Sequence, residues 1–341
     1  MNEQVGLGLA LVVFGGMLNG SFALPMKRMP AWRWENTWLV YSLTGMVIGP
    51  WVFAMATVPQ LGQVYHHASW HALIMVLLFG LGSGTGSMLF GLGIARLGLA
   101  LGFAIILGIT AALGSLLPMA ILHPHELLRR PGYTLMAGTL MVTLGIVFYA
   151  LAGRRREREA ALAAQDGSRS GFGVGLGICI ASGILSAMLN FSFLFGKELQ
   201  DLTLSYGAKP AASANPIWAL ALTSGFIANG GYAIYLLQRN RTWGNFSASG
   251  ATIGYGFGGI LMGALWFGSV AFYGMGAAAL GSLGGIIGWP VLMATIIITA
   301  NLWGALAGEW AKASRRSYAY AWVGMGVLLV AICVISLAGR A

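Results

Sequence analysis

Apolar residues fill the chain in long blocks, separated by short polar or charged stretches, from the first residues to the last. A helix that crosses a bilayer needs about 20 predominantly apolar residues. Ten such blocks can be placed, near 5–24, 37–58, 72–94, 98–121, 133–152, 171–195, 212–237, 251–273, 278–306 and 319–338. They leave no room for a separate soluble domain. The pattern therefore predicts an all-α polytopic membrane protein with ten transmembrane helices.

The blocks are internally related. Met17-Leu-Asn19-Gly-Ser21-Phe22 returns as Met188-Leu-Asn190-Phe-Ser192-Phe193, and Gly91-Leu-Gly93-Ile-Ala95 returns as Gly274-Met-Gly276-Ala-Ala278. Leu151-Ala-Gly-Arg154 returns as Leu337-Ala-Gly-Arg340. Three matches in order argue for duplication, with a first repeat over 1–153, a linker over 154–170 and a second repeat over 171–341. Five spans is an odd number, so the second repeat enters the membrane with opposite orientation. Two inverted five-helix repeats are the organisation of many secondary transporters, which bind their solute near the midplane between the halves.

Composition agrees: 57% of the 341 residues are hydrophobic and 8% charged, against about 25% charged in soluble domains. The 52 glycines suit membrane helices, where small residues let backbones approach. Gly254-Tyr-Gly256-Phe-Gly-Gly259 matches a dinucleotide-binding pattern, but it lies inside a span without the strand and acidic residue that pattern requires, so helix packing is the reading. The net charge of +10 does not indicate nucleic acid. Fourteen of the 19 basic residues fall in the loops after spans 1, 3, 5, 7 and 9. Basic loops stay in the cytoplasm, which places both termini outside. The N-terminus lacks the positive region of a cleaved signal. Cys179 and Cys333 lie in apolar spans and read as packing residues rather than a disulfide. No cysteine or histidine spacing makes a metal site, and no cofactor is expected beyond a coupling proton.

An intramembrane polar group needs a partner. Asn19, Asn190, Asn229 and Asn301 all fall in predicted spans, where each bonds a neighbouring helix or lines a solute path. Repeat symmetry places Asn19 and Asn190 at equivalent positions on opposite halves, which singles them out. Trp266 and Trp289 lie deeper than the tryptophans expected at the two membrane surfaces. They are candidates for stacking on a solute. Lys27 and Lys197 follow the paired asparagine segments as candidate gating or binding groups, with snorkelling to the surface as the alternative. None of the nine acids sits at a span centre. Glu35, among Trp32, Trp34 and Trp38, is the first candidate for proton coupling, and its alternative is a favourable charge at a helix start. Glu309 is the second; Lys312, Arg315 and Arg316 beside it favour an ordinary ion pair.

Phe22-Ala-Leu-Pro25-Met-Lys27 followed by Trp32-Arg-Trp34-Glu35-Asn-Thr-Trp38 resembles the bacterial L-rhamnose–proton symporter family of the drug/metabolite transporter superfamily. Further similarity lies at Gly183-Ile-Leu-Ser186-Ala187-Met188, at Gly225 with Asn229, and across Asn301-Leu-Trp303-Gly304 to Trp310. The resemblance implies proton-driven import of L-rhamnose or a related 6-deoxyhexose across the bacterial inner membrane by alternating access. On that reading Asn19, Asn190, Asn229, Trp266, Trp289 and Lys27 contact sugar, and Glu35 and Glu309 are linked to the proton. The sequence departs from enterobacterial members at Gly281 to Pro290, where a more polar, tyrosine-containing stretch is replaced. The main alternative is an exporter of small metabolites or cationic drugs on the same scaffold, although a cation exporter favours a central acid. A membrane enzyme or sensor finds no nucleophile–base pair, phosphate loop or signalling domain. The oligomeric state is left open.

Overall fold

The computed structural model describes residues 3–97, 99–164, 172–247, 252–308, 310 and 313–338. Among the described residues ten helices are long and apolar enough to cross a membrane. We number them α1 Glu3–Ser21, α2 Trp34–Thr57, α3 Trp70–Leu97, α4 Leu99–Leu122, α5 Arg130–Ala164, α6 Phe172–Phe195, α7 Asn215–Asn240, α8 Thr252–Ala279, α9 Gly284–Leu306 and α10 Arg315–Ala338. The described residues contain no strand. A helix satisfies its own backbone within the segment, which is what a segment without water requires. The outward faces are apolar, with Ile253, Leu306 and Phe257 all largely exposed.

The elements differ from the sequence expectation in three places. α2 widens into a π-helical turn over Leu43–Ile48, where the Gly49 N–H reaches back to the Thr44 carbonyl. Pro50 follows at once and cannot donate to the helix, so the wider turn falls beside the position where the regular ladder must break. α5 runs on to Ala164, so part of the expected linker is helical. The block read as 278–306 is divided: α8 ends at Ala279 and α9 starts at Gly284. Gly281 turns between them with φ +82°, a conformation open to glycine.

Packing between the halves is reciprocal. α1 lies against α8 and α9, as α6 lies against α3 and α4. α2 packs on α8 as α7 packs on α3, and α4 pairs with α5 as α9 pairs with α10. This is the arrangement expected of two exchanged five-helix units. Glycine permits the closest of these approaches. A Cβ on Gly84 of α3 would lie 2.1 Å from the Gly225 carbonyl of α7, and one on Gly80 would lie 2.2 Å from that of Ala221. Within the Gly254–Gly259 stretch of α8, Gly259 meets Val40 and Gly258 meets Met29, whereas Gly254 and Gly256 face open space. The stretch is helical throughout. Cys179 is buried and Cys333 exposed, and both are free thiols.

Candidate functional site

Two antiparallel seams, α2 with α7 and α4 with α9, pair helices that the repeat read from the sequence makes counterparts. Along α2 and α7 the bonds run from end to end. Asn240 Nδ2 and Thr242 Oγ1 donate to Glu35 Oε1, at 3.0 and 2.8 Å. Trp38 Nε1 donates to Asn229 Oδ1 at 2.7 Å, and Trp51 Nε1 to Thr223 Oγ1 at 2.8 Å. At the far end Asn215 Nδ2 donates to Thr57 Oγ1 at 2.7 Å. The tryptophan-rich motif before α2 thus has a local cause. Asn36 donates to the Thr242 carbonyl and accepts from Asn245, while Trp32 donates to the Asn245 carbonyl. Together they seat α2 on the turn that follows α7. Glu35 is 5% exposed.

The α4–α9 seam is closed at one end only. Asn190, on α6, is fully buried and reaches across it. Its Nδ2 donates to the Gly114 carbonyl of α4 at 2.7 Å and to the Gly285 carbonyl of α9 at 3.0 Å. Its Oδ1 faces the Tyr273 hydroxyl of α8, which also lies 2.8 Å from the Gly285 carbonyl. Trp289 donates to the Thr110 carbonyl at 3.0 Å. Gly114 makes room for that indole, because a Cβ there would sit 2.2 Å from Nε1. The Tyr273 ring meets Trp289 edge-on, with Phe193 and Trp218 stacked beside it. The Trp218 indole N–H is buried without a bond partner. Amides, a phenol and flat rings converging on one point are the groups that recognise hydroxyls and C–H faces.

Beyond Thr110 the same seam opens into a cavity of about 140 Å³ between α4, α5 and α9. Phe103, Leu107, Ile146 and Ile297 give it apolar walls, and Tyr149, Asn301, Arg156 and Trp310 give it polar or amphipathic ones. Among the described residues its lining includes no acid.

The structure thus brings two of the sequence candidates, Asn190 and Trp289, into one cluster. Asn19 lies elsewhere, with Nδ2 3.4 Å from Ser269 Oγ, one turn along α8 from Tyr273. Asn229 is occupied by Trp38 and by Met46 Sδ at 3.5 Å. Trp266 meets Tyr41 edge-on, beside the buried Met29, Trp32 and Met262. Lys27 is exposed on the 3-10 turn Leu24–Arg28. Glu309 lies outside the described residues. Thr110, Gly114 and Gly285 act through their carbonyls, which a sequence pattern does not mark. Tyr149 carries no flag in an apolar helix. Among the described residues no group of acids, histidines and cysteines could hold a metal ion.

The sequence profile of the L-rhamnose-proton symport protein (RhaT) matches residues 1–341. The chain belongs to that family. An L-rhamnose-proton symporter of Klebsiella pneumoniae (strain 342) is 25% identical over 346 residues, covering 99% of each chain. One of Escherichia coli O17:K52:H18 (strain UMN026 / ExPEC) has the same identity and coverage. So does one of Escherichia coli O9:H4 (strain HS), over 343 residues. The rhamnose symport family is one of transporters rather than enzymes, and the ten membrane-long helices fit it. Residues 281–290 supply Gly285 and Trp289 to the buried cluster.

Proposed function

We propose that this protein imports L-rhamnose, or a related 6-deoxyhexose, together with protons across the bacterial inner membrane. Whole-chain membership of the rhamnose symport family carries the reading, and the half-open α4–α9 seam is where the geometry supports it best. Asn190, Tyr273 and Trp289 meet sugar when the closed end of the seam parts. A hydroxylated solute then takes over the hydrogen bonds that Asn190 now spends on two carbonyls. Asn19, Asn229, Trp266 and Lys27 remain sugar contacts on this reading only in a state that frees or exposes them. The halves 1–153 and 171–341 move as inverted units about the linker 154–170. The basic loops are cytoplasmic and both termini outside; a C-terminal reporter active only in the cytoplasm would overturn that placement. A cationic-drug exporter finds no support in the family to which the chain belongs.

Coupling is assigned first to Glu35. Its carboxylate accepts two bonds from the end of α7 and ties α2 of one half to the other. Protonation replaces an acceptor with a donor and weakens that tie, so proton occupancy is linked to the contact between the halves. Glu309 is the second assignment. The test is uptake of labelled L-rhamnose by proteoliposomes under an imposed inward proton gradient, with competing sugars and a protonophore as controls. Accumulation that collapses with the gradient is expected, and no accumulation of any 6-deoxyhexose sinks the reading. Glu35→Gln is expected to lose uphill accumulation while retaining exchange. Full uphill uptake by that variant removes Glu35 from coupling.

A further inference from the structure

We infer that the short helix Lys197–Ser205 is an outer lid beside the Asn190 cluster, latched shut by the bonds between Glu198 and Ser69 at the start of α3. The inference rests on the import reading above and on its topology, which puts the loop after α6 on the outer face. The helix follows α6 with only Gly196 between them. A Cβ on Gly196 would lie 2.6 Å from the Ser192 carbonyl and 2.7 Å from Ile217 of α7, so the turn is tight and held against the next span. Leu199 and Thr203 share one face of the helix and are fully buried, while Lys197, Glu198 and Asp201 are exposed. The helix therefore lies flat on the protein with its charges outward. Gln200 Nε2 donates to the Phe193 carbonyl at 2.8 Å. The Phe193 ring stacks on Trp218 at 5.5 Å between centroids and lies 5.6 Å from that of Tyr273. One hydrogen bond and one ring thus separate the lid from the groups proposed to meet sugar.

The latch is a carboxylate with both oxygens in use. The Ser69 backbone N–H donates to Glu198 Oε1 at 2.6 Å, and Ser69 Oγ donates to Oε2 at 2.7 Å. Ser69 also caps α3, its Oγ accepting from the Ala72 N–H at 3.2 Å, so the anion sits at the favourable end of that helix. Lys197 pairs with Asp201 on the lid itself. The latch joins the two halves, because Ser69 belongs to the first and Glu198 to the second. Two further contacts cross the same boundary. The Tyr206 hydroxyl lies 2.8 Å from His67 Nδ1, and the Tyr65 hydroxyl donates to the Pro216 carbonyl at 3.0 Å. All three must break if the halves part on this face. Glu198 is exposed, and charge-assisted bonds at an exposed site are weak, as a latch that opens in every cycle requires. The α4–α9 seam is open towards Arg156 and closed at Asn190. A device that shuts the other face while this one is open is what alternating access calls for.

The experiment puts a thiol under the lid, Thr203→Cys, in a Cys333→Ala background, since the remaining thiol, Cys179, is buried. Full-length protein in right-side-out and inside-out vesicles is treated with a membrane-impermeant thiol reagent. Labelling is expected to be slow and to come from the outer face alone. Glu198→Ala should speed it about threefold to tenfold, whereas Ser69→Thr, which keeps the hydroxyl, should leave it unchanged. Ala208→Cys, also buried, serves if Thr203→Cys fails to reach the membrane. A looser latch raises the share of outward-open protein, so Glu198→Ala should also lower the external L-rhamnose concentration that half-saturates uptake. A protein that is merely damaged loses uptake without that fall. Labelling that Glu198→Ala leaves unchanged overturns the lid, as does labelling from the inner face alone. Faster labelling with no fall in the half-saturating concentration reduces the bond to local packing and overturns it too. If Glu198→Ala changes neither quantity while the unsubstituted protein accumulates L-rhamnose, the lid is lost and the import reading stands. If the unsubstituted protein accumulates no 6-deoxyhexose, both are lost.

Discussion

Between α2 and α7 a side-chain bond crosses at Glu35, Trp38, Trp51 and Thr57, so that seam is tied along its length. Between α4 and α9 the ties stop at Thr110, and a cavity takes their place. The two seams are equivalent in the repeat: both pair a helix with its own counterpart from the other half. Their difference divides labour. A seam bonded at four levels resists parting, and only one of its levels, Glu35, carries an ionisable group. A seam held at one end by the Asn190 amide and the Trp289–Thr110 bond can open and close by remaking few bonds. Alternating access needs both properties, a hinge and a gate. In the proposed transport cycle the hinge is assigned to α2–α7 and the gate to α4–α9.

The largest way to break this contrast is Asn190→Ala. It strips donors from the Gly114 and Gly285 carbonyls at once, in a buried site with no water to replace them. Side-chain bonds between membrane helices are worth about 0.6 kcal/mol on average and up to about 1.7. Two of them, with the Gly114 carbonyl losing its side-chain donor while Tyr273 still donates to that of Gly285, should cost on the order of 2 kcal/mol of stability. Uptake of L-rhamnose should fall at least about tenfold, because the residue also meets sugar in the proposed cycle. Thermal unfolding in detergent and proteoliposome uptake measure the two effects. A fully stable Asn190→Ala protein would mean that the gate is held by something other than this amide.

Next in size is Trp38→Phe, which removes one level of the hinge and keeps the ring. It should cost about 1 kcal/mol and lower uptake by less than about threefold, since three further levels remain. A transport defect as deep as that of Asn190→Ala would reverse the assignment of hinge and gate.

The contrast was only partly legible in the sequence. Ten spans follow from hydrophobicity alone, because burial in lipid demands it of every residue in the block. The repeat marks Asn190 and depth marks Trp289, and both touch Tyr273. Their partners were not marked, since Gly114, Gly285 and Thr110 contribute backbone carbonyls that any residue possesses. The repeat does not give the two asparagines the same partners. Asn19 shares the motif of Asn190, yet it meets one serine at 3.4 Å, because a duplicated motif does not carry its neighbours' side chains with it. The tryptophan motif was visible, but its partner, the turn after Asn240, lies more than 200 positions away.

A third antiparallel pair, α5 with α10, gives the smallest expected effect and sets a baseline for the other two. Beyond the membrane-spanning part of α5, Glu159 accepts from the Ser314 backbone N–H at 3.2 Å and pairs with Arg155 at 3.2 Å. Hydrogen bonding from Ser314, first through its side chain, holds the Glu159 carboxyl below the usual glutamate value, with Arg155 adding to the effect. A carboxyl depressed in the folded state contributes stability above its unfolded value, near pH 4. That contribution is lost as pH falls through the lower folded value. The unfolding midpoint of the wild type should therefore drop slightly more than that of Glu159→Gln between pH 7 and pH 3. The difference should be small because the group is solvated and its ion pair screened. Uptake at neutral pH should not change, since this tie lies outside both seams. A Glu159→Gln transport defect would bring the α5–α10 pair into the moving parts, and the division between one hinge and one gate would no longer hold.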